Sequence, residues 1–121
     1  MGKYGLSTIE FEIMEFLWEK NEPVQFKEIL DYFNTTKDKK WKKQTLSTYL
    51  SNLRRSGIIN ADTDNKYNLY FYVFSRSELI QIWTGKMVKE SYGGSISNFV
   101  TAFTGGKKLS QEEAERIKKL I

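Results

Sequence analysis

Apolar positions Ile9, Ile13, Phe16 and Leu17 recur every three to four residues near the start of the chain, and Met14 and Trp18 widen the stripe. That spacing predicts an amphipathic helix over Thr8–Lys20. Pro23, the sole proline, opens a second segment in which Phe26, Ile29, Leu30 and Phe33 repeat at i, i+3, i+4 and i+7, so a second helix is expected over Val24–Phe33. A polar, lysine-rich connection follows, and Trp41 is expected to plug the core before a third helix. In that helix, KKQTLSTYLSNLRRSG, Leu46, Leu50 and Leu53 share one face with Tyr49 beside them. The helical period puts Gln44, Thr48, Ser51 and Arg55 on the opposite face, with Thr45 and Asn52 flanking one side and Ser47 and Arg54 the other. Gly57 is well placed as the residue that ends the helix in a left-handed turn.

The pattern then changes. Ile58–Ala61 and the aromatic, β-branched run Tyr67–Phe74 read as strands joined by the polar turn Asp62–Lys66, which makes a β-hairpin. Beyond Ser75 the helical period returns, with Leu79, Ile80, Trp83, Met87 and Val88 on one side as far as Tyr92, and Gly93-Gly94 ends it. Ser95 begins a fifth helix with Ile96, Phe99, Val100 and Phe103 as its stripe. A last helix, from Gln111 to the end, carries Ala114, Ile117, Leu120 and Ile121. Three Ser-x-x-Glu capping boxes, Ser7/Glu10, Ser75/Glu78 and Ser110/Glu113, mark helix starts ahead of these stripes.

Three helices and a hairpin, in that order, spell a mainly α fold with a small β-hairpin: a winged helix-turn-helix over residues 1–74, followed by a helical region over 75–121. The tail helices are short and cannot bury their stripes alone. Trp83, Met87, Ile96, Phe99, Val100, Phe103, Ile117, Leu120 and Ile121 are therefore expected at a homodimer contact, the alternative being that the tail packs back on its own chain.

Composition narrows the chemistry. With no cysteine and no histidine, thiol nucleophiles, Ser-His-Asp triads, haem ligation and the usual zinc sites are out of reach. There is no phosphate-cradling glycine loop. Carboxylate-only catalysis survives, but the acids fall mostly on helix exteriors, where solvation is their ordinary role. No catalytic residue, metal or cofactor is expected. No apolar run is long enough to span a bilayer and the first residues lack a signal-peptide pattern, so no membrane insertion and a cytoplasmic location are expected.

The net charge of +4 is unevenly spread. Residues 1–35 hold three basic and seven acidic side chains, residues 36–66 eight and three, and residues 67–121 eight and five. Not one acid occurs between Lys39 and Asn60. An ordinary solvent-facing helix would carry glutamates and lysines at i,i+4. Here the outer face of the third helix bears hydroxyls and amides with basic residues at both ends, a composition suited to double-stranded DNA. A merely solvated basic surface is the plainer alternative.

Three stretches carry a family resemblance: LSTIEFEIMEFLWEK, WKKQTLSTYLSNLRRSGII and the tail YGGSISNFVTAFTGGKKLSQEEAERIKKLI. Together they cover nearly the whole chain, which resembles the penicillinase-repressor (BlaI/MecI/CopY) family of winged-helix regulators. The resemblance implies a homodimeric repressor on a pseudo-palindromic operator, with the third helix in the major groove. It puts Gln44, Thr45, Ser47 and Thr48 at base edges. Lys42, Lys43 and Arg54 would lie near phosphates, Lys66 on the wing, and Ser51 and Arg55 on the same face. Gln44 could pair with adenine, and Thr45 or Thr48 could touch a thymine methyl.

Asn52 stands where the family usually has arginine, and the cysteine cluster of copper-responsive members is missing. Antibiotic-responsive control then remains, or an unrelated signal. In the antibiotic-responsive members a membrane sensor protease system leads to cleavage at an Asn-Phe bond in the dimerisation region. Asn98-Phe99 supplies that dipeptide, whereas counting back from Leu109-Ser110-Gln111 puts the corresponding bond at Ala102-Phe103. A winged helix used for protein contacts through Tyr70 and Tyr72, a small carboxylate enzyme and an activator are the competing readings.

Overall fold

Ser7 starts the first helix as the pattern requires. Its hydroxyl accepts from the Glu10 amide at 3.1 Å, and Glu10 accepts from the Ser7 amide at 2.9 Å, closing the capping box. The computed structural model describes residues 3–64 and 66–121, so Asn65 of the expected turn lies outside the described residues. Among these, a short 3₁₀ turn at Lys3–Gly5 precedes α1 (Thr8–Lys20), β1 (Val24–Gln25), α2 (Phe26–Thr35), α3 (Lys43–Arg55), β2 (Ile59–Asp62), β3 (Leu69–Tyr72), α4 (Arg76–Tyr92), α5 (Ile96–Thr104) and α6 (Gln111–Lys118).

Several of these differ from expectation, the hairpin strands among them, since β3 covers only the middle of the Tyr67–Phe74 run and β2 is shifted one residue on from Ile58–Ala61. Val24 and Gln25 do not open α2 but form a strand, because Pro23 ends the preceding turn and the free edge of β3 offers hydrogen-bonding partners. The hairpin is thus part of a three-stranded antiparallel sheet with β3 in the middle. Its register sets Val24 opposite Tyr70 on one side and Ile59 opposite Tyr72 on the other. The last helix stops at Lys118, short of the chain end.

The chain divides into two compact units, one ending at Trp83 and the other comprising Thr84–Ile121, so the division falls within α4. In the first unit α1, α2 and α3 enclose a core of Ile13, Met14, Leu17, Ile29, Phe33, Leu46, Leu50 and Leu53, closed below by Val24 and Ile59 from the sheet. Phe11, absent from the expected stripe, is also buried, under Tyr4 and Trp18. The Trp18 indole donates to the Phe74 carbonyl at 2.9 Å, which ties α1 to the segment that follows β3. Leu79 is buried, and Trp83 packs edge-on against Tyr4 within the same unit.

The second unit is built differently. Among its described residues none is buried. Ser95 and Ser110 cap α5 and α6 through the Asn98 and Glu113 amides. Phe99 touches Tyr92 and Phe103. Ile96, Phe103 and Ile121 are 73%, 81% and 99% exposed. Apolar surface on that scale normally has a cover.

Candidate nucleic-acid interface

Two features position α3. Its inner leucines are locked in the core: Leu46, Leu50 and Leu53 are all essentially inaccessible. At its end Gly57 takes φ +80°, and the Gly57 and Ile58 amides donate to the carbonyls of Arg54 and Leu53, which stops the helix sharply. With the inner face fixed, helical geometry leaves no freedom for the outer one.

That outer face is exposed at Lys42, Lys43, Gln44, Ser47, Thr48, Ser51, Arg54 and Arg55, and half-buried at Thr45. The Thr48 hydroxyl donates to the Gln44 carbonyl at 3.0 Å. What Thr48 offers outward is therefore a methyl group and an oxygen lone pair. Arg55 donates to the Asn52 side chain at 3.2 Å, so Asn52 holds an arginine at the place where the resemblance leads one to expect an arginine itself.

Beside α3 lies an open groove of about 890 Å³ between α2, α3 and the hairpin. Phe26, Leu30 and Tyr70 give it an apolar lining, and Gln44 and Ser47 line it from α3. Lys27, Lys43 and Lys66 converge on it from α2, α3 and the hairpin. Lys66 also sits 5.5 Å over the Tyr67 ring, and such a contact steadies an exposed ammonium. Asp31 is the acidic member of the lining.

Sequence reasoning did not single out Lys27, Tyr67 or Asn68, all of which line the groove. Lys27 sits in a stretch where acids outnumber bases, so regional charge hid it. The signal that could have found it was its place in the first turn of α2, beside the apolar Phe26. Two groups outside the groove have shifted acidities. The Ser75 amide, which donates to the Glu78 carboxylate at 2.9 Å, and then the Ser75 side chain hold the Glu78 carboxyl below its ordinary range. The Glu28 carboxylate, 2.9 Å away, raises the Lys20 ammonium. Both are α-helical surface features that leave the groove untouched. Among the described residues no group of carboxylates gathers as a metal site needs, and no helix is long and apolar enough to cross a membrane.

The expected contact residues of the tail fall as follows. Trp83 belongs to the first unit. Met87, Phe99, Val100 and Ile117 are half-buried in the second, and Ile96, Phe103, Leu120 and Ile121 are exposed there.

The penicillinase repressor family model matches residues 6–121. The methicillin resistance regulatory protein MecI of Staphylococcus aureus (strain N315) is 25% identical over 118 residues, which is 98% of this chain and 94% of that protein. The penicillinase repressor of Bacillus licheniformis is 22% identical over 116 residues, 96% of this chain and 88% of that one. A solved structure of HOP2 shows a partial likeness, with a TM-score of 0.45 and 24% identity over 52% of this chain and 95% of that one.

Proposed function

This chain belongs to the penicillinase repressor family, and from that premise we propose that it is a DNA-binding transcriptional repressor, not an enzyme, which acts as a homodimer on a pseudo-palindromic operator. The observation that carries the reading is the convergence of Lys27, Lys43 and Lys66 on a groove that Gln44 and Ser47 of the acid-free helix α3 also line. In this arrangement α3 lies in the major groove with Gln44, Thr45, Ser47 and Thr48 toward base edges. A phosphodiester strand runs past the three lysines, and Lys42, Arg54 and Arg55 fix register without reading sequence.

Two such units held by their tails read half-sites on one face of the duplex, about 34 Å apart or a small multiple of that. The exposed Ile96, Phe103, Leu120 and Ile121 are the surface a second copy would cover. Anything that separates the tails lowers operator affinity steeply, because one unit alone makes too few contacts. Cleavage within α5 by a sensor-linked protease is one such signal, and Asn98-Phe99 and Ala102-Phe103 both lie on that helix.

The test is selection of duplexes from random DNA by the full chain, paired with sedimentation of the wild type and of Phe103→Glu. A preferred two-fold symmetric sequence, a dimeric wild type and a monomeric variant with weakened binding are expected. A chain that shifts no DNA at low salt, or a wild type that sediments as a monomer at binding concentrations, refutes the reading.

A further inference from the structure

The connection from α2 to α3 contains neither glycine nor proline, yet Asp38 and Lys40 adopt φ of 52° and 58°. Left-handed backbone is unfavourable for a residue with a Cβ, so contacts outside the two residues must hold it. Three do. The Lys39 amide donates to the Phe33 carbonyl at 3.0 Å. The Lys39 ammonium lies 3.2 Å and 3.4 Å from the two carboxylate oxygens of Glu12 on α1.

The third tie is the most specific. The Asn34 side chain accepts from the Trp41 amide at 2.7 Å and donates to the Trp41 carbonyl at 2.9 Å. A primary amide offers donor and acceptor side by side, as a peptide unit does. A carboxylate can accept but not donate, and a hydroxyl has the wrong shape. The Trp41 indole is meanwhile stacked on Phe33, with centroids 4.8 Å apart and planes 25° from parallel, and lies 5.3 Å from Tyr49 of α3. Backbone and ring of Trp41 are thus gripped at once. The next residue, Lys42, caps α3 without a side-chain hydrogen bond, and Lys43 and Gln44 follow directly.

We propose that Asn34 is a positioning residue for the DNA-reading helix: its amide clasp on Trp41 sets where Lys42, Lys43 and Gln44 meet the duplex. This rests on the repressor reading above and adds to it a residue that touches no DNA. Binding selectivity depends on such a residue because a base contact is directional, whereas attraction between lysine and phosphate tolerates small displacements.

The experiment compares wild type, Asn34→Ala and Asn34→Asp as full chains, well below their unfolding midpoints. Amide hydrogen exchange is followed over residues 37–43. Affinity is measured for the duplex that wild type recovers from random DNA and for a scrambled duplex. Asn34→Ala is expected to speed exchange at Trp41 and its neighbours, and to cut the selected-to-scrambled affinity ratio by about tenfold, the size of a partial weakening of one bidentate base contact in each half-site. Asn34→Asp keeps the acceptor and loses the donor, so its ratio should fall part of the way.

Faster exchange with an unchanged ratio makes the clasp a stability contact and overturns the proposal, as does unchanged exchange. A wild type that recovers no preferred duplex overturns the repressor reading itself. That outcome appears before any variant is made, so the two failures are distinguishable.

Discussion

Removing the Gln44 side chain should separate the proposed DNA reading from folding. Gln44 is exposed on the outer face, and the Thr48 hydroxyl bonds to its main-chain carbonyl rather than its amide. Alanine at this position keeps that bond and has a slightly better helix propensity than glutamine. Gln44→Ala should therefore leave thermal unfolding unchanged or raise its midpoint slightly. On DNA, a bidentate glutamine–adenine pair accounts for about 1–3 kcal/mol of discrimination.

In the proposed homodimer the side chain is used once per half-site, so the loss should double to about 2–6 kcal/mol on the preferred operator, a factor of roughly 30 or more. The same change should relax base preference at one position in each half-site. Lys43→Ala is the control. It removes about one phosphate contact per protomer, so the slope of log K against log salt should shrink by about 0.9 per protomer, with all sequences weakened alike. Both are read in a fluorescence anisotropy titration over several salt concentrations and a panel of single-base operator variants. If Gln44→Ala weakened every duplex equally, or if it lowered the unfolding midpoint, the orientation assigned to α3 would be wrong.

Other consequences follow from the same geometry. Leu50, 1% exposed in the core, should cost about 2–5 kcal/mol when truncated to alanine; a loss below about 1 kcal/mol in denaturant unfolding would contradict its place there. Gly57 has φ +80° and nothing within 4 Å of where a Cβ would stand. Gly57→Ala should then cost about 1–2 kcal/mol from backbone conformation alone, and Gly57→Asn less, as chemical denaturation can show. The Glu78 carboxyl is held below its ordinary value of 4.5 by the Ser75 amide and hydroxyl. Its contribution is therefore present above that pH and lost as pH falls through the lowered value. Wild type should be more stable than Glu78→Gln at neutral pH, and the gap should close in acid; a gap that widens there reverses the assigned sign.

Much of the architecture was legible in local pattern. The ends of α1 follow from the Ser7/Glu10 box and from an apolar stripe that stops at Lys20. The facing of α3 follows from three leucines on one side and an acid-free polar set on the other. The breaks at Gly57 and at Gly93-Gly94 are backbone statements made by single residues. In each case the physics acts within a few residues, through caps, period and allowed dihedrals, so one stretch of sequence contains the whole cause.

What lay beyond reach was nonlocal. Val24 follows Pro23 just ahead of the apolar stripe of α2 and reads as the start of that helix, yet it pairs with Tyr70, whose backbone comes from a segment far along the chain. Lys27 looks like one more charge in an acidic region until folding sets it beside Lys43 and Lys66. Asn34 looks like helix surface until Trp41 returns to meet it. The sequence by itself determined which face of each helix is apolar and where most helices begin and end, because those depend on neighbours three or four residues away. Tertiary structure alone decided the third strand, the converging lysines and the clasp ahead of α3, because each needs partners whose distance apart is set by how the core closes and not by spacing along the chain.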